Sequence, residues 1–251
     1  MTSDFQKEAT QPADDAVRAV VVLTGRRAAF LGRGFQFSRL RNATPAIAVG
    51  LNAPIALTEA GERNAIGDVL ILPAGARGRL APQGALALLF TDPLRDSVMP
   101  LAPRECSIDA LRAQLRRGPV PDGAAFLEQA FQAIGVRQRP EARGDVARVV
   151  QAIGEAPDRF DRLETAAAMA GLSPARFRHV FVEAVGMTFS RYRQWRRMGI
   201  VIRQLAQGDR LTQAALAAGF AGSAHLSAAF RDMFGVSPSA LVATNPHYVI
   251  Q

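Results

Sequence analysis

A nine-residue pattern occurs twice in the C-terminal part of this 251-residue chain. "LETAAAMAG" spans residues 163–171, and "LTQAALAAG" spans residues 211–219. Each copy is rich in alanine and ends in Ala-Gly. Small side chains let a second helix approach closely, and a glycine after a helix adopts the left-handed conformation that turns the chain sharply. The pattern therefore predicts two short helices, each followed by a tight turn.

A second helix is predicted after each turn. Ser173-Pro174 is a capping residue followed by a proline suited to the first helical position, and Gly222-Ser223 begins the other helix. The two following segments match at an offset of 49 residues, pairing Phe177 with Leu226, Phe181 with Phe230 and Gly186 with Gly235. A short helix, a turn with glycine and a second helix make a helix-turn-helix motif, and the chain is expected to contain two.

The stretches "AAAMAGLSPARFRHVFVEAVGMTFSRYRQWRRM" and "LAAGFAGSAHLSAAFRDMFGVSPSALV" resemble the AraC/XylS family of bacterial transcription regulators. The resemblance is carried by the Ala-Gly-Phe turn, the Phe-x-x-x-Phe-Gly-Val-Ser-Pro-Ser ending and the repeat, and it covers about residues 145–245. It implies two helix-turn-helix subdomains joined by a long helix, with each recognition helix in a neighbouring major groove of duplex DNA. It also implies a cupin-like N-terminal domain for effector binding and dimerisation.

The first half of the chain has a different pattern. Short apolar runs such as "RAVVVLT", "DVLILP" and "ALALLF" are separated by Gly, Pro and Asn, which is typical of the strands of a sandwich or barrel. Apolar residues at helical spacing then predict helices at 107–117 and 122–136. The expected fold is α+β, with a cupin-like β-barrel or sandwich followed by helices, and then an all-α domain.

The expected domain boundaries follow from these patterns. The effector-binding and dimerisation domain is assigned to residues 1–137, and the polar, proline-containing stretch 138–144 to a linker. The DNA-binding domain is assigned to residues 145–251. It is expected to contain the first helix-turn-helix at about 163–185, the joining helix at about 188–207 and the second helix-turn-helix at about 211–234.

The positive charge of the chain favours a nucleic-acid partner. The formal net charge is +8, and Lys7 is the only lysine. Residues 173–210 contain eight arginines and only two acidic residues. Arginine binds phosphate as a planar fork and stacks on bases. A genome that prefers arginine codons is the alternative reason for the excess of arginine over lysine.

Recognition helices read bases from their first turns. In the first motif we expect DNA contacts from Ser173, Ala175, Arg176, Arg178 and His179. By the family pattern, Ala175, Arg178 and His179 occupy base-facing positions. Arg178 is suited either to fork onto guanine O6 and N7 or to contact a phosphate. We expect it to carry more sequence information than any other side chain.

In the second motif we expect DNA contacts from Ser223, Ala224, His225, Ala228 and Arg231. Many family members carry Arg or Lys at the position of Ala228 and a long polar side chain near Ala224. The two alanines remove hydrogen-bond donors, although alanine still contacts a thymine methyl group. This motif is therefore expected to read bases weakly and to hold the DNA backbone through its other three residues.

The joining helix carries four arginines, Arg191, Arg193, Arg196 and Arg197, that fall largely outside its aromatic stripe. The stripe itself is expected to be core. The four arginines form either a solvated face or a set of phosphate contacts. In the first half, Arg39, Arg41 and Asn42 are expected to lie in a solvated loop, with an anionic effector site as the alternative.

The sequence argues against an enzyme. A cupin metal centre needs several histidines, but the three histidines are His179, His225 and His247, all outside the first half. No nucleophile elbow or Gly-rich phosphate loop is present, so no catalytic residue, metal or cofactor is expected. Two rival functions stay open: a cupin-type small-molecule enzyme, and a protein-interaction module that keeps the fold without specific DNA binding.

The expected partners are double-stranded DNA, RNA polymerase and a small-molecule effector at the N-terminal domain. A homodimer is expected through the helical pair at 107–117 and 122–136, whose apolar faces have packing on the barrel as their alternative role. No run approaches the ~18 apolar residues of a membrane helix, and the polar N-terminus lacks the pattern of a signal peptide. The sequence therefore predicts a cytoplasmic protein that does not bind membranes.

Overall fold

The computed structural model describes residues 19–25, 27–33, 37–59, 64–97, 108–118, 122–138 and 144–251. Its strands are β1 (Val20–Thr24), β2 (Arg27–Gly32), β3 (Phe37–Arg41), β4 (Ala46–Gly50), β5 (Ile55–Glu59), β6 (Asn64–Gly67), β7 (Val69–Leu72), β8 (Arg77–Pro82), β9 (Leu86–Phe90), β10 (Asp96–Ser97), β11 (Arg137–Gln138) and β12 (His247–Ile250). Its helices are α1 (Ile108–Arg117), α2 (Gly123–Ala133), α3 (Asp145–Glu155), α4 (Leu163–Met169), α5 (Pro174–Val185), α6 (Phe189–Ala206), α7 (Leu211–Ala217), α8 (Ser223–Phe234) and α9 (Pro238–Ala243), with a 3-10 turn at Pro157–Phe160.

Two sheets form the first half, which we call the β-domain together with α1 and α2. One has the strand order β12-β1-β2-β9-β4-β7, the other β3-β8-β5-β6, and β10 pairs separately with β11. Side chains alternate between the two faces of a strand. In β1, Val20 and Val22 therefore pack towards α1 and α2, whereas Val21 and Leu23 join the core shared with the second sheet. The predicted β-rich domain followed by helices is confirmed.

The apolar faces of α1 and α2 pack on the chain's own sheet. Leu111 and Leu115 of α1 are buried there, as are Phe126, Leu127 and Phe131 of α2. The sequence allowed these side chains either a dimer contact or packing on the barrel. The structure shows them packed on the sheet. A second copy of the chain would have to approach through the outer, polar faces of these helices.

The helical domain, α3 to α9, contains the repeated device. Gly171 and Gly219 both adopt positive φ, at 65° and 75°. The residue after each glycine donates its N–H to a carbonyl five residues earlier, from Leu172 to Ala167 at 3.0 Å and from Phe220 to Ala215 at 2.9 Å. The two turns therefore have the same geometry, as the repeat predicts. They join α4 to α5 and α7 to α8.

The two domains share one continuous core. Phe90 of β9, Trp195 of α6 and Phe234 of α8 form an aromatic triangle, in which the ring centroids are 5.5, 5.5 and 5.9 Å apart. Aromatic pairs at these separations contribute about 0.5–1.5 kcal/mol beyond the area they bury. The predicted linker at 138–144 is not tested, since residues 139–143 lie outside the described ranges.

The predicted all-α character of residues 145–251 is wrong at the C-terminal end. β12 pairs in parallel with β1, with Val20 opposite His247 and Leu23 opposite Ile250. The N–H of His247 donates to the Ala19 carbonyl at 2.8 Å. The four-residue strand is too short to show a period, and its partner lies more than 200 residues earlier in the chain, so local pattern carries no sign of the pairing.

Gly123, the first residue of α2, makes room for this last strand. A Cβ atom at this position would lie 2.8 Å from Cγ1 of Val22 and 2.9 Å from Cγ1 of Val249, closer than carbon atoms approach. Beside it, the Gln251 side chain accepts a hydrogen bond from the Ala124 N–H at 2.7 Å and donates one to Asp122 at 3.1 Å. The end of the chain is thus fastened to both β1 and α2.

The expectation of a solvated loop around Arg41 is also wrong. Phe37–Arg41 forms β3, and Asn42, which follows it, is fully buried. The Asn42 carbonyl accepts the N–H of Gly75 at 2.8 Å, which satisfies one of its polar groups inside the protein. β3 packs against α8. This contact between distant segments is what the sequence pattern does not reveal.

Within the described ranges, no helix has the length and apolarity required to cross a membrane.

A variant that ends at Pro246 should be less stable than the full chain. It loses the ladder between β12 and β1 and the hydrogen bonds of Gln251. At ~1 kcal/mol for each backbone hydrogen bond, the expected loss in the free energy of unfolding is about 2–4 kcal/mol. Urea unfolding measures it, with His247→Ala as the control because the His247 side chain is exposed. Equal midpoints for the shortened and full chains would contradict the role of β12.

Candidate nucleic-acid interface

The first turns of α5 carry the residues predicted for base reading. Ser173 is the N-cap, and its hydroxyl accepts the N–H of Arg176 at 3.3 Å. Proline at the first helical position leaves no unpaired N–H there. The side chains of all five predicted residues are exposed: Ser173, Ala175, Arg176, Arg178 and His179. Phe177 and Phe181 point the other way and are fully buried.

Phe177 and Phe181 hold α5 in place through an aromatic cluster with α6. The Phe181 ring lies 5.8 Å from the rings of both Phe189 and Tyr192. Because the buried face of α5 is fixed, its opposite face is presented in one orientation. The side chains of Arg178 and His179 make no hydrogen bond or ion pair with any described residue. Their side-chain donors are therefore available to an external partner.

α8 begins at Ser223 after Gly222, without a side-chain cap. Ala224, His225, Ala228 and Arg231 are exposed, and Ser223 is half-buried. Leu226, Ala229 and Phe230 are buried and attach the helix to the core. The face predicted to contact DNA is thus outward, but two of its five side chains are single methyl groups.

His225 folds back against the turn that precedes α8. Its ring lies 5.3 Å from the Phe220 ring in an edge-to-face arrangement. Its Nδ1 accepts the N–H of Ala221 at 3.4 Å. In a neutral imidazole, a ring nitrogen that accepts leaves the proton on the other nitrogen. The tautomer inferred from this contact therefore has Nε2–H as a donor.

Three arginines of α6 gather on one side of the helix. Arg191 donates to Oδ2 of Asp232 at 2.6 Å and also to the backbone carbonyl of Arg41. Arg193 donates to the Phe160 carbonyl at 2.6 Å and Arg197 to Asp161 at 3.3 Å. Their side chains are only 13–20% exposed. They are not the freely solvated face that the sequence allowed.

Arg196 is not brought to the other three. Its guanidinium donates to the carbonyls of Gly25 at 3.0 Å and Gly154 at 3.1 Å. Gly25 lies in the turn between β1 and β2, and Gly154 lies in α3. Arg196 therefore ties the β-domain to the first helix of the helical domain, a role that helical spacing alone does not indicate.

Arg191, Arg193 and Arg197 line a recess of about 370 Å³, together with Arg41 of β3 and His225. We call it the arginine recess. Thr188 and Ser190, at the start of α6, also belong to its wall, as do Gln194 and Phe220. Burial lowers the pKa of Arg193, and the positive charge of Arg197 lowers it further. Arg41 joins this group only because β3 packs on α8, and no pattern in the sequence reveals that contact.

A second cavity, of about 90 Å³, lies between the β-domain and the helical domain, and we call it the interdomain cavity. Its walls are mostly apolar and come from strands and helices alike, among them Val21, Leu23, Phe30, Trp195, Met198 and Ile202, although Arg196 and Arg203 also line it. Within the described ranges, no group of three or more His, Cys, Asp or Glu side chains is placed to hold a metal ion.

Residues 166–244 match a family profile described as a helix-turn-helix domain. The whole fold is similar to the apo form of a ToxT variant from Vibrio cholerae, with a TM-score of 0.59 and 13% identity over 87% of this chain and 97% of that one. A Vibrio cholerae ToxT structure with an unsaturated fatty acid bound is similar at a TM-score of 0.50 and 12% identity, over 87% of this chain and 94% of that one. No curated protein matches the sequence.

Replacing Arg178 with alanine should leave stability unchanged, because the side chain is exposed and has no described partner. If Arg178 reads a base, the variant should lose about 1–3 kcal/mol of binding to the preferred duplex and little on unrelated DNA. Fluorescence anisotropy with both duplexes measures the difference. The control is Arg117→Ala, which removes an exposed arginine from α1. Equal loss on both duplexes would assign Arg178 to a phosphate instead.

Proposed function

We propose that this chain is a member of the AraC/XylS family of bacterial regulators by its C-terminal domain, and that it acts as a sequence-specific transcription regulator of duplex DNA. The observation that carries the proposal is the repeated geometry of α5 and α8. Each is a helix with an exposed first turn, held by a left-handed glycine turn against a shorter helix. Helices mounted in this way enter the major groove with their N-terminal turns.

The two recognition helices contribute unequally in this proposal. α5 offers Arg176, Arg178 and His179 as exposed long polar side chains, whereas α8 offers His225 and Arg231. A bidentate arginine on guanine is worth about 1–3 kcal/mol of discrimination. The arginines add a salt-dependent attraction that is independent of sequence. Bound in this way, the protein regulates transcription by recruiting or obstructing RNA polymerase, and it acts in the cytoplasm, where the DNA is.

Selection of randomised duplex DNA by the full chain, repeated at several salt concentrations, tests the proposal. We expect an enriched motif in two parts, about one helical turn apart, with more information in one part. Arg178→Ala should weaken the enrichment of that part alone. Binding that depends only on salt, with no enriched motif, would favour the rival function of a protein-interaction module.

We further propose that an apolar small molecule regulates the chain by binding in the interdomain cavity. Two features support it: the cavity's apolar walls, and the fatty acid bound to the similar ToxT fold. At about 90 Å³ the cavity is smaller than the roughly 150 Å³ that accommodates benzene. A longer ligand therefore has to part the two domains. Ligand binding would then change how the helical domain sits on the β-domain.

Gly199 provides a variant that closes this cavity. It lies in the interior of α6, and an added Cβ would lie 3.6 Å from Nη1 of Arg203 and 3.9 Å from Cδ2 of Leu23, both ordinary contacts. Gly199→Ala should stabilise the protein by about 0.5–1 kcal/mol, because alanine removes the entropic cost of glycine within a helix. Gly199→Leu should fill the cavity and weaken the binding of oleate at least tenfold.

Trp195, the only tryptophan in the chain, lines the cavity and reports binding through its fluorescence. Oleate should change the emission of the parent protein at lower concentration than that of Gly199→Leu. Decane-1-sulfonate serves as a control for detergent-like unfolding. Identical titrations for the parent and Gly199→Leu would place any binding outside the interdomain cavity.

A further inference from the structure

We infer that the arginine recess is a binding site for a single phosphate group, and that Arg41 of the β-domain is one of its ligands. The source of that phosphate is the backbone of the DNA, and this part of the inference rests on the proposed function. The site itself is new to that function, because arginines of α6 form it together with Arg41 of the β-domain. Arg191, Arg193 and Arg197 are ligands in this site, whereas Arg196 lies outside it.

The charge of the recess is the first argument. Four guanidinium groups line it: Arg41, Arg191, Arg193 and Arg197. Two carboxylates lie within ion-pair distance of them. Asp232 is 2.6 Å from Arg191 and 3.9 Å from Arg41, and Asp161 is 3.3 Å from Arg197 and 3.4 Å from Arg193. Two positive charges therefore remain without a counter-charge, which is more than enough to hold the single negative charge of a DNA phosphodiester.

Unused hydrogen-bond donors are the second argument. The Nε atoms of Arg191, Arg193 and Arg197 are buried and have no hydrogen-bond partner in the described chain. A buried donor that has given up its hydrogen bonds to water and has no partner in the protein is unfavourable. Arg191 donates from both terminal nitrogens, whereas Arg193 and Arg197 each donate from one, to carbonyls and carboxylates of the protein. All three retain an unpaired Nε–H. An acceptor-rich anion satisfies such donors, whereas an apolar ligand does not.

The start of α6 adds to the positive potential. Thr188 caps this 18-residue helix by accepting the N–H of Arg191, and the partial positive charge of the helix N-terminus lies beside Ser190. Burial is the largest cause of the lowered pKa of Arg193, and the positive charge of Arg197 adds to it. A bound anion would offset the repulsion between these two guanidinium groups.

The position of the recess relates it to DNA. His225, in the first turn of α8, forms part of its wall and has its Nε2 donor free of the turn. A recognition helix that inserts its first turns into the major groove brings the flanking backbone beside those turns. The recess therefore lies where a phosphate flanking the groove of α8 would pass. This also fits the shortage of long base-reading side chains in α8.

Arg41 makes the site interdomain. Its side chain is 44% exposed at the mouth of the recess, and its backbone carbonyl accepts a hydrogen bond from Arg191. Replacing the side chain leaves that backbone contact in place. A phosphate held between Arg41 and α6 contacts the β-domain and the helical domain at once, so DNA binding favours the arrangement in which both are packed together.

The first test is the salt dependence of binding to the selected duplex. Each phosphate contact contributes close to one unit to the slope of log K against log salt concentration. Arg41→Ala should lower that slope by about 1 and weaken binding to all sequences alike. Arg41→Lys should restore the slope, because it retains the charge. Arg117→Ala, which removes an exposed arginine on α1, should behave like the parent.

The second test uses inorganic phosphate without DNA. Phosphate at constant ionic strength should raise the thermal midpoint of the parent above that in chloride, and Arg41→Ala should reduce this difference. A changed DNA slope supports the DNA backbone as the source. An unchanged slope with a lost phosphate effect supports a phosphate site but rejects that source. If Arg41→Ala changes neither readout, the inference is overturned.

The failure of the proposed function gives a different result. A parent chain that selects no DNA motif and binds no duplex refutes regulation through DNA, while the inorganic phosphate test still decides whether the recess is a phosphate site. Arg41→Lys is compared in both assays and keeps the positive charge on a long side chain. It therefore separates loss of the phosphate ligand from a loss of stability in Arg41→Ala.

Discussion

The contact of Trp195 with Phe90 and Phe234 determines how the two halves of this protein meet. It places α6 across the inner face of the six-stranded sheet, and α8 beside β3. Both cavities follow from it. The interdomain cavity is the space left beside the aromatic triangle, and the arginine recess is the space between the far side of α6, the start of α8 and the end of β3. Both composite sites are lined by residues from the β-domain and from the helical domain, so they exist only where the two are packed together.

The sequence was sufficient to predict the parts of the fold that depend on local chemistry. Gly171 and Gly219 take the left-handed conformation because residues after short alanine-rich helices have few other ways to reverse the chain, and Ser173 caps α5 as its hydroxyl and following proline indicate. The exposed positions of Arg178 and His179 follow from the buried phenylalanines on the same helix. Each of these features depends only on residues that are close to one another in the sequence.

What sequence reasoning missed depends on contacts between distant segments. The sequence around Arg41 predicts a solvated loop, because nothing in that stretch shows that β3 pairs with β8 and packs on α8. Helical spacing alone does not divide the four arginines of α6, yet Arg196 donates to Gly25 and Gly154 while the other three contact Asp161 or Asp232. The sequence gives the number of arginines, but only the fold determines which of them already form hydrogen bonds or ion pairs within the protein. β12 is the extreme case, since its partner is the first strand of the chain described.

The attachment of β12 to β1 limits how the helical domain can move. Between Ala243, where α9 ends, and His247, where β12 begins, there are four Cα steps, which reach at most about 14 Å when fully extended. While β12 stays paired with β1, the end of α9 therefore stays within about 14 Å of the start of β12. Any larger excursion must either strip a strand from the edge of the sheet or drag β1 along and deform the sheet that β1 shares with β2. Because β12 joins the two, a large displacement of the recognition helices also distorts the sheet.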